Sequence, residues 1–156
     1  MSAMLSLVRR AEMAGAGVEA SSDQAETMLR LAADAPSAEV RTNALGVVAH
    51  LLQHEQHAAV LLNPAAEVMA DKLEDRSLSV NLAALDAIFT IYAEPEANGA
   101  VAAVGMMGAL EQMVPRLRAA IKDGRRTLDR EMLGRLDEAR VNLVRFIEYK
   151  RDQPFP

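Results

Sequence analysis

Residues 37–53 read SAEVRTNALGVVAHLLQ, and residues 77–93 read SLSVNLAALDAIFTIYA. Matching positions in the two stretches hold identical or similar residues, and each pair lies 40 residues apart: Ser37 with Ser77, Val40 with Val80, Ala44 with Ala84, Leu45 with Leu85, Val48 with Ile88 and Leu51 with Ile91. The apolar members recur at helical spacing. A period near 40 residues with this spacing is typical of stacked helical hairpins of the HEAT or armadillo kind.

The repeat therefore predicts an all-α fold, a short α-solenoid of HEAT/armadillo-like helical hairpins. We expect one domain over residues 1–151 and a loose C-terminal tail over residues 152–156. The chain of 156 residues has room for about three to four such repeats, but not for two ordinary domains.

Composition supports the helical prediction. Hydrophobic residues make up 51% of the chain but aromatic residues only 3%, and the apolar content is mainly Ala, Leu, Val and Met. The absence of Cys excludes a disulfide scaffold and thiolate zinc sites. No apolar run is long enough to span a membrane, and the N-terminal charges follow the apolar stretch, which is the wrong order for a secretory signal. We expect a soluble intracellular protein.

Caps and breakers predict the helix boundaries. Ser21 with Gln24 resembles a capping box, and Asn63-Pro64 is a strong start signal. Pro115 inside an apolar pattern predicts a kink or a split helix. Ser37 is predicted to cap the first repeated helix. The predicted helices cover residues 3–14, a stretch beginning at 21, residues 38–52, 64–74 and 77–92, a stretch from 100 interrupted by Gly105 and Gly108, and residues 127–150.

Three histidines, His50, His54 and His57, fall on one face of a helix, which raises the question of a metal site. Their spacing is not that of a zinc protease motif, and no other helix offers a converging ligand, so a solvated helix end is the favoured interpretation. No nucleophile motif or phosphate loop is present either. We predict no catalytic residues, no metal, no cofactor and no small-molecule substrate, and hence a protein that is not an enzyme.

In a solenoid, the equivalent helix of each repeat lines the concave face on which partners bind. The non-core positions of the two repeated helices and the rim that follows them are the candidate protein-binding residues: Asn43, His50, Asp86, Thr90, Glu94 and Glu96. An acidic groove of this kind favours an extended basic partner. A merely solvated polar face explains the same residues equally well.

Charge is distributed unevenly along the chain. Residues 1–114 carry 6 basic against 15 acidic residues, whereas residues 115–151 carry 11 basic against 6 acidic residues. A candidate basic patch lies around the turn near residue 124 and consists of Arg118, Lys122, Arg125 and Arg126. Such a patch can neutralise phosphates. However, interleaved acidic residues favour internal pairing, and the lack of an aromatic platform argues against nucleic acid as the partner.

Two stretches go beyond generic repeat character. Residues 81–94 read NLAALDAIFTIYAE, and residues 136–150 read LDEARVNLVRFIEYK. With the segment Val40-Arg41-Thr42-Asn43-Ala44-Leu45 before them, they resemble the C-terminal HEAT repeats of the symportin family, in the family's order. The resemblance covers residues 37–151. Because family members are several times longer, we expect the chain to be a fragment, a truncated gene product or a free-standing relative.

The resemblance implies an adaptor that binds the two ribosomal proteins associated with 5S RNA and presents them to an importin for nuclear entry. It implies basic ribosomal proteins and an importin as partners, residence in cytoplasm and nucleus, and no membrane. Two alternatives remain open: a generic HEAT or armadillo scaffold with unrelated partners, and nucleic-acid binding through the basic end. No contact residue can be carried over, because the matching segments are mainly core positions.

Overall fold

The computed structural model describes residues 18–53 and 55–153, with side chains over residues 24–53 and 61–153. The predicted helix over residues 3–14 lies outside this part of the chain. The described residues form seven α-helices and one 3₁₀ turn and contain no strand: α1 (Val18–Asp34), α2 (Ala38–Leu52), α3 (Glu55–Lys72), α4 (Leu78–Ile91), the 3₁₀ turn Pro95–Ala97, α5 (Asn98–Ala103), α6 (Met106–Gly124) and α7 (Arg130–Asp152). The all-α prediction is confirmed.

The helices stack in two layers. One layer contains α1, α3 and α6, and the other contains α2, α4 and α7, with each helix contacting its neighbour in the layer. Three antiparallel hairpins result, α1–α2, α3–α4 and α6–α7, with the short α5 between the second and third. Each hairpin buries its apolar residues against the adjacent hairpin or hairpins in the stack, which is the arrangement of an α-solenoid. One continuous apolar core runs through the stack.

The two copies of the repeat occupy equivalent environments. Residues 43–50 and residues 83–90 show the same order of exposed, half-buried and buried positions, residue by residue. Val48 and Ile88, which are equivalent, are both fully buried, and so are Leu45 and Leu85. Residues that lie 40 positions apart in the two copies therefore occupy equivalent packing environments.

Two prolines lie inside helices, although Pro64 was predicted to start a helix and Pro115 to kink or split one. Pro64 is within α3, so the predicted start at Asn63-Pro64 is wrong, and α6 continues through Pro115 without a split. Both prolines are exposed, and each lacks the N–H that would otherwise bond the carbonyl four residues earlier. Buried Leu61 and Ala65 continue one apolar face across Pro64, and their packing outweighs the local signal.

Other predicted boundaries shift as well. The α1 helix begins at Val18, so Ser21 lies within it rather than capping it. Ser37 caps α2 as predicted, since its hydroxyl accepts from the Val40 N–H at 3.4 Å. The last helix begins three residues later than predicted, because Asp129 caps it by accepting from the Met132 N–H at 2.8 Å.

A buried ion pair joins the first two hairpins. The Arg41 guanidinium donates to both carboxylate oxygens of Asp75, at 3.0 and 3.1 Å, and to the backbone oxygens of Ala35 and Pro36 at 2.7 and 3.1 Å. The side chains of Arg41 and Asp75 are only 11% and 7% exposed. We call this the Arg41–Asp75 clamp. It fixes the start of α2 against the loop between α3 and α4.

The same loop is held from two further directions. The buried Asn81 amide donates to the carbonyls of Lys72, Leu73 and Asp75 at 2.8, 3.2 and 3.0 Å. Arg116 of α6 donates to the carbonyls of Leu73 and Asp75 at 2.9 and 2.7 Å. These contacts satisfy carbonyls at the end of α3 that have no intrahelical partner. The loop thereby ties all three hairpins together.

The C-terminal end of α7 is anchored rather than loose. The Lys150 ammonium is buried and donates to the Glu94 carbonyl, the Asn98 side-chain oxygen and the Gln153 side-chain oxygen at 3.1, 2.6 and 3.1 Å. Gln153 in turn donates to the Ala93 carbonyl at 3.0 Å. These contacts extend the hydrogen-bonded structure to Gln153, two residues beyond the predicted domain end at 151. Residues 154–156 lie outside the described part.

Gly105 separates α5 from α6 with a φ of +65°, the left-handed region. An added Cβ at this position would meet no atom within 4 Å, so any cost of a side chain is conformational rather than steric. We expect Gly105→Ala to lower the free energy of unfolding by about 1 kcal/mol, measured by urea denaturation. Gly108→Ala is the matched control, because Gly108 lies inside α6 with equally open space, and there alanine favours the helix. Equal destabilisation of both variants would contradict this explanation.

Candidate protein-binding surfaces

A wide acidic groove runs between α3 and the α5–α6 segment. Its volume is about 640 Å³. Three carboxylates of α3 line one wall, Glu67, Asp71 and Glu74, all exposed. They follow each other at i, i+4 and i+7, so they share one face of the helix. The opposite wall is low over most of its length, because four of its six residues are small: Ala103, Gly105, Gly108 and Ala109, with Val104 and Gln112 as the larger ones.

The acidic groove is poorly neutralised from within the protein. Asp71 has the Lys72 ammonium at 3.3 Å, but that ammonium also donates to the Ala33 carbonyl at 2.8 Å. Glu67 and Glu74 have no ion-pair partner among the residues with described side chains. The groove can therefore accept cationic side chains from outside, and its low wall leaves room for their aliphatic stems.

Two of the candidate residues lie on α4, next to α7 of the same layer. Asp86 lines a smaller groove of about 160 Å³ with Arg135 and Glu138. Desolvation in this groove raises the pKa of Asp86; the Arg135 charge opposes the rise and Glu138 adds to it. Thr90, one turn further, donates its hydroxyl to the Asp86 carbonyl at 2.8 Å. The hydroxyl is thus partly engaged by its own helix.

The remaining candidates of the predicted concave row are spread along the second layer. Asn43 is half-buried and His50 is exposed on α2, at positions equivalent to Ala83 and Thr90. Glu94 and Glu96 are exposed on the segment after α4, near the ammonium of Lys150. Desolvation lowers the pKa of Lys150, and these two carboxylates oppose that shift. The structure thus brings Asp86 next to Thr90, and Glu94 next to Glu96, as two separate pairs.

The predicted basic patch is divided by the structure. Arg118, Lys122 and Arg125 line a groove of about 290 Å³ between α6 and α7, together with Arg140 and Asp137. Arg126 does not line this groove and is exposed in the turn between the helices. Arg140 donates to Asp137 at 2.9 Å, which is the internal pairing expected for this region. The other three cations of the groove have no ion pair among the described residues.

Comparison with known proteins identifies the family. A family profile described as "SYO1-like, TPR repeats" matches residues 1–154. This chain belongs to the SYO1-like family. SYO1 is the symportin, so the family expected from residues 37–151 is confirmed. The human HEAT repeat-containing protein 3 is 31% identical over 134 residues, which make up 82% of this chain and 20% of that protein. The chain thus spans about a fifth of its relative's length. No solved structure matches it.

The repeats of this symportin-family chain follow the HEAT rather than the TPR period. Copies 40 residues apart fit HEAT and armadillo units, whereas a TPR unit has about 34 residues. The name of the human relative agrees with this spacing. The protein is a helical repeat scaffold related to symportin.

The acidic groove is the feature that sequence reasoning missed in this symportin-family chain. The i, i+4, i+7 spacing of Glu67, Asp71 and Glu74 is visible in the sequence, but the same spacing marks any solvated helix face. The opposite wall comes from residues about 30 to 40 positions later. Only the stacking of α6 beside α3 turns an acidic helix face into a groove.

Two further properties concern the described part of the symportin-family chain. No group of three or more His, Cys, Asp or Glu residues there is arranged to hold a metal ion. Of the three histidines considered, His54 lies outside that part, and the side chain of His57 is not described. None of the helices in the same part combines the length and apolar character needed to cross a membrane.

Proposed function

We propose that this chain is a non-enzymatic, protein-binding part of an adaptor that escorts the 5S-RNA-associated ribosomal proteins into the nucleus for large-subunit assembly. In this proposal the partners are basic ribosomal proteins and an importin, and the protein works in cytoplasm and nucleus. Family membership supports the adaptor role. The observation that carries the choice of cargo is the acidic groove, because its carboxylates, of which Glu67 and Glu74 lack an ion-pair partner among the described side chains, complement a basic segment.

The groove suits an extended basic segment better than a folded basic surface. Glu67 and Glu74 are seven residues apart on α3, roughly 10 Å along the helix axis. Alternate residues of an extended chain are about 6.6 Å apart, so cations two positions apart fall within reach of successive carboxylates. The small residues opposite, such as Gly105 and Gly108, leave space for the aliphatic stems of Lys and Arg.

The acidic groove gives a direct test. We expect the combined variant Glu67→Gln/Asp71→Asn/Glu74→Gln to bind the 5S-associated ribosomal proteins about tenfold more weakly than the wild-type chain, measured by biolayer interferometry. The estimate assigns about 0.5 kcal/mol to each lost charge contact, and 1.4 kcal/mol corresponds to tenfold. The loss should shrink as salt concentration rises, because exposed charges are screened.

A matched variant separates the effect of the groove on binding from the effect of net charge. Glu26→Gln/Glu39→Gln/Asp123→Asn removes three exposed carboxylates that do not line the groove. It should leave binding within about twofold, which is the effect of small surface changes. An unrelated basic protein of similar charge should not bind the wild-type chain saturably. If neither this chain nor a full-length member of its family binds the ribosomal proteins, the adaptor role is wrong and a scaffold with other partners replaces it.

A further inference from the structure

The open face of the last hairpin, between α6 and α7, carries a continuous seam. One stripe of α6 and one stripe of α7 line two cavities, the basic groove of about 290 Å³ and an apolar slot of about 170 Å³. The slot is lined by Val114 of α6 with Val144 and Ile147 of α7, and by three charged residues, Glu111, Glu148 and Arg151. An ion pair between Arg151 and Glu111 marks the far end of the seam. The same two helices thus present cations at one end and apolar side chains at the other.

The cations in the basic end are spaced regularly. Arg118, Lys122 and Arg125 follow at i, i+4 and i+7, the interval that places side chains on one helix face. They lack ion-pair partners in the described part of the chain, although the sequence interleaves acidic residues with them. Asp123 and Asp129 are absent from the lining of the groove, whereas Arg140 adds a fourth cation, paired with Asp137. Charge is therefore concentrated in a groove that the protein itself does not neutralise.

Three observations favour a protein helix over a nucleic acid in this seam. No aromatic side chain lines either cavity, so bases would have nothing to stack on. The basic groove continues directly into an apolar slot, which a phosphate backbone cannot use. The chain as a whole carries a net charge of −5, which opposes a polyanion extending beyond the groove.

We propose that the α6–α7 seam binds an amphipathic acidic helix of a partner protein. Carboxylates of that helix at i, i+4 and i+7 pair with Arg118, Lys122 and Arg125, and its next apolar turn enters the slot beside Val144. This is the helix-in-groove mode of recognition, with charge setting the register and the apolar turn excluding water. The seam differs in chemistry and position from the acidic groove, so one repeat scaffold can hold a basic cargo and an acidic partner at once.

A designed peptide tests the seam without knowledge of the natural partner. The probe is a fluorescein-labelled, alanine-based helix with glutamates at i, i+4 and i+7 followed by leucines on the same face. It is made in both chain directions, and its control has the leucines moved to the opposite face. Fluorescence anisotropy at low salt measures binding to the full 156-residue chain. We expect saturable binding of one probe direction and at least about fivefold weaker binding of the control peptide.

Variants of the chain assign the site. The affinity for the probe should fall by at least about tenfold in the variant Arg118→Glu/Lys122→Glu/Arg125→Glu. The control variant is Arg126→Glu/Arg130→Glu/Arg145→Glu, which has the same net charge but changes residues outside the cavity lining. Its affinity for the probe should change by less than about threefold. Val144→Ser should weaken binding of the probe but should not weaken binding of single-stranded or duplex RNA. If the charge-reversed chain loses helicity by circular dichroism, Arg118→Gln/Lys122→Gln/Arg125→Gln replaces it.

Several outcomes would overturn the proposal. One is the absence of saturable binding for both probe directions. Another is an equal loss of affinity in the two arginine-reversal variants, which would reduce the effect to net charge. The third is tighter binding of RNA that depends on Arg118, Lys122 and Arg125 but not on Val144, which would assign the groove to phosphates instead.

Discussion

The Asp75→Ala variant should unfold with a free energy about 3 kcal/mol below that of the wild-type chain, because it removes one partner of a buried ion pair. The Arg41 guanidinium would keep its bonds to the Ala35 and Pro36 carbonyls but lose both carboxylate contacts. The Ser77 N–H, which donates to Asp75 at 2.9 Å, would also lose its acceptor at the start of α4. Urea unfolding followed by far-ultraviolet circular dichroism measures the difference.

The loss of stability in Asp75→Ala should also depend on pH. Burial opposes ionisation of Asp75, but the Ser77 N–H and the charges of Arg41 and Lys72 outweigh it and hold the pKa of the carboxyl below its ordinary value. A depressed pKa in the folded state contributes stability that is fully present above the ordinary pKa. That contribution is lost as the pH falls from about 4 through the folded-state pKa, because the unfolded chain takes up its proton first. The difference in unfolding free energy between the wild-type chain and Asp75→Ala should therefore become smaller at acidic pH.

Asp71→Asn is the control for the Asp75 prediction. Asp71 also pairs with Lys72, at 3.3 Å, but its side chain is 70% exposed. Exposed pairs contribute about 0–1 kcal/mol, so the variant should lose less than about 1 kcal/mol. A double-mutant cycle of Arg41→Ala and Asp75→Ala then measures the interaction free energy between the two side chains of the Arg41–Asp75 clamp. Additive losses in that cycle would mean that the two side chains do not stabilise each other.

The Leu85→Ala variant should lose about 3 kcal/mol of unfolding free energy, within the range of 2–5 kcal/mol for buried Leu→Ala changes. Leu85 is fully buried on α4 of the middle hairpin, which has a neighbouring hairpin on each side. The neighbours can collapse only partly into the space left behind, so a cavity term adds to the lost transfer energy. Urea denaturation at neutral pH measures the loss.

The repeat supplies an internal comparison for Leu85. Leu45 is the equivalent residue 40 positions earlier and is also fully buried. Leu45→Ala should therefore lower the unfolding free energy by an amount in the same range of about 2–5 kcal/mol. Tyr149→Ala, at a side chain that is 52% exposed, should change stability by less than about 0.5 kcal/mol. A loss at Leu85 no larger than that at Tyr149 would contradict the packing described here.

The architecture could be predicted from the sequence because it depends on periodicity. Ala44, Leu45 and Val48 repeat at Ala84, Leu85 and Ile88, and apolar periodicity decides which side of each helix is buried. The errors arose where a local signal competed with packing. Asn63-Pro64 has the chemistry of a helix start, yet the apolar face on both sides of it continues into the core. Ser77 resembles Ser37, but its hydroxyl lies 3.0 Å from that of Ser79, and Asp75 accepts its N–H instead.

The surfaces could be predicted only in part. The concave-row residues belong to α4, α2 and the segment after α4, as the repeat predicts, but the charged surroundings of Asp86 come from α7. The pairing expected among the charges of residues 116–145 depends on which helix face each charge occupies. Asp137 meets Arg140, while Arg118, Lys122 and Arg125 share a groove without partners. A linear charge pattern does not contain this information.

The sequence by itself determined the helical class, the 40-residue repeat and the family, because these depend on which residues recur and at what interval. Tertiary structure alone decided the clamp between Arg41 and Asp75, 34 residues apart, and the two oppositely charged grooves. The physical reason is that a groove needs two walls. Each wall here is an ordinary amphipathic helix face, and only stacking determines which two faces meet and which charges remain unpaired.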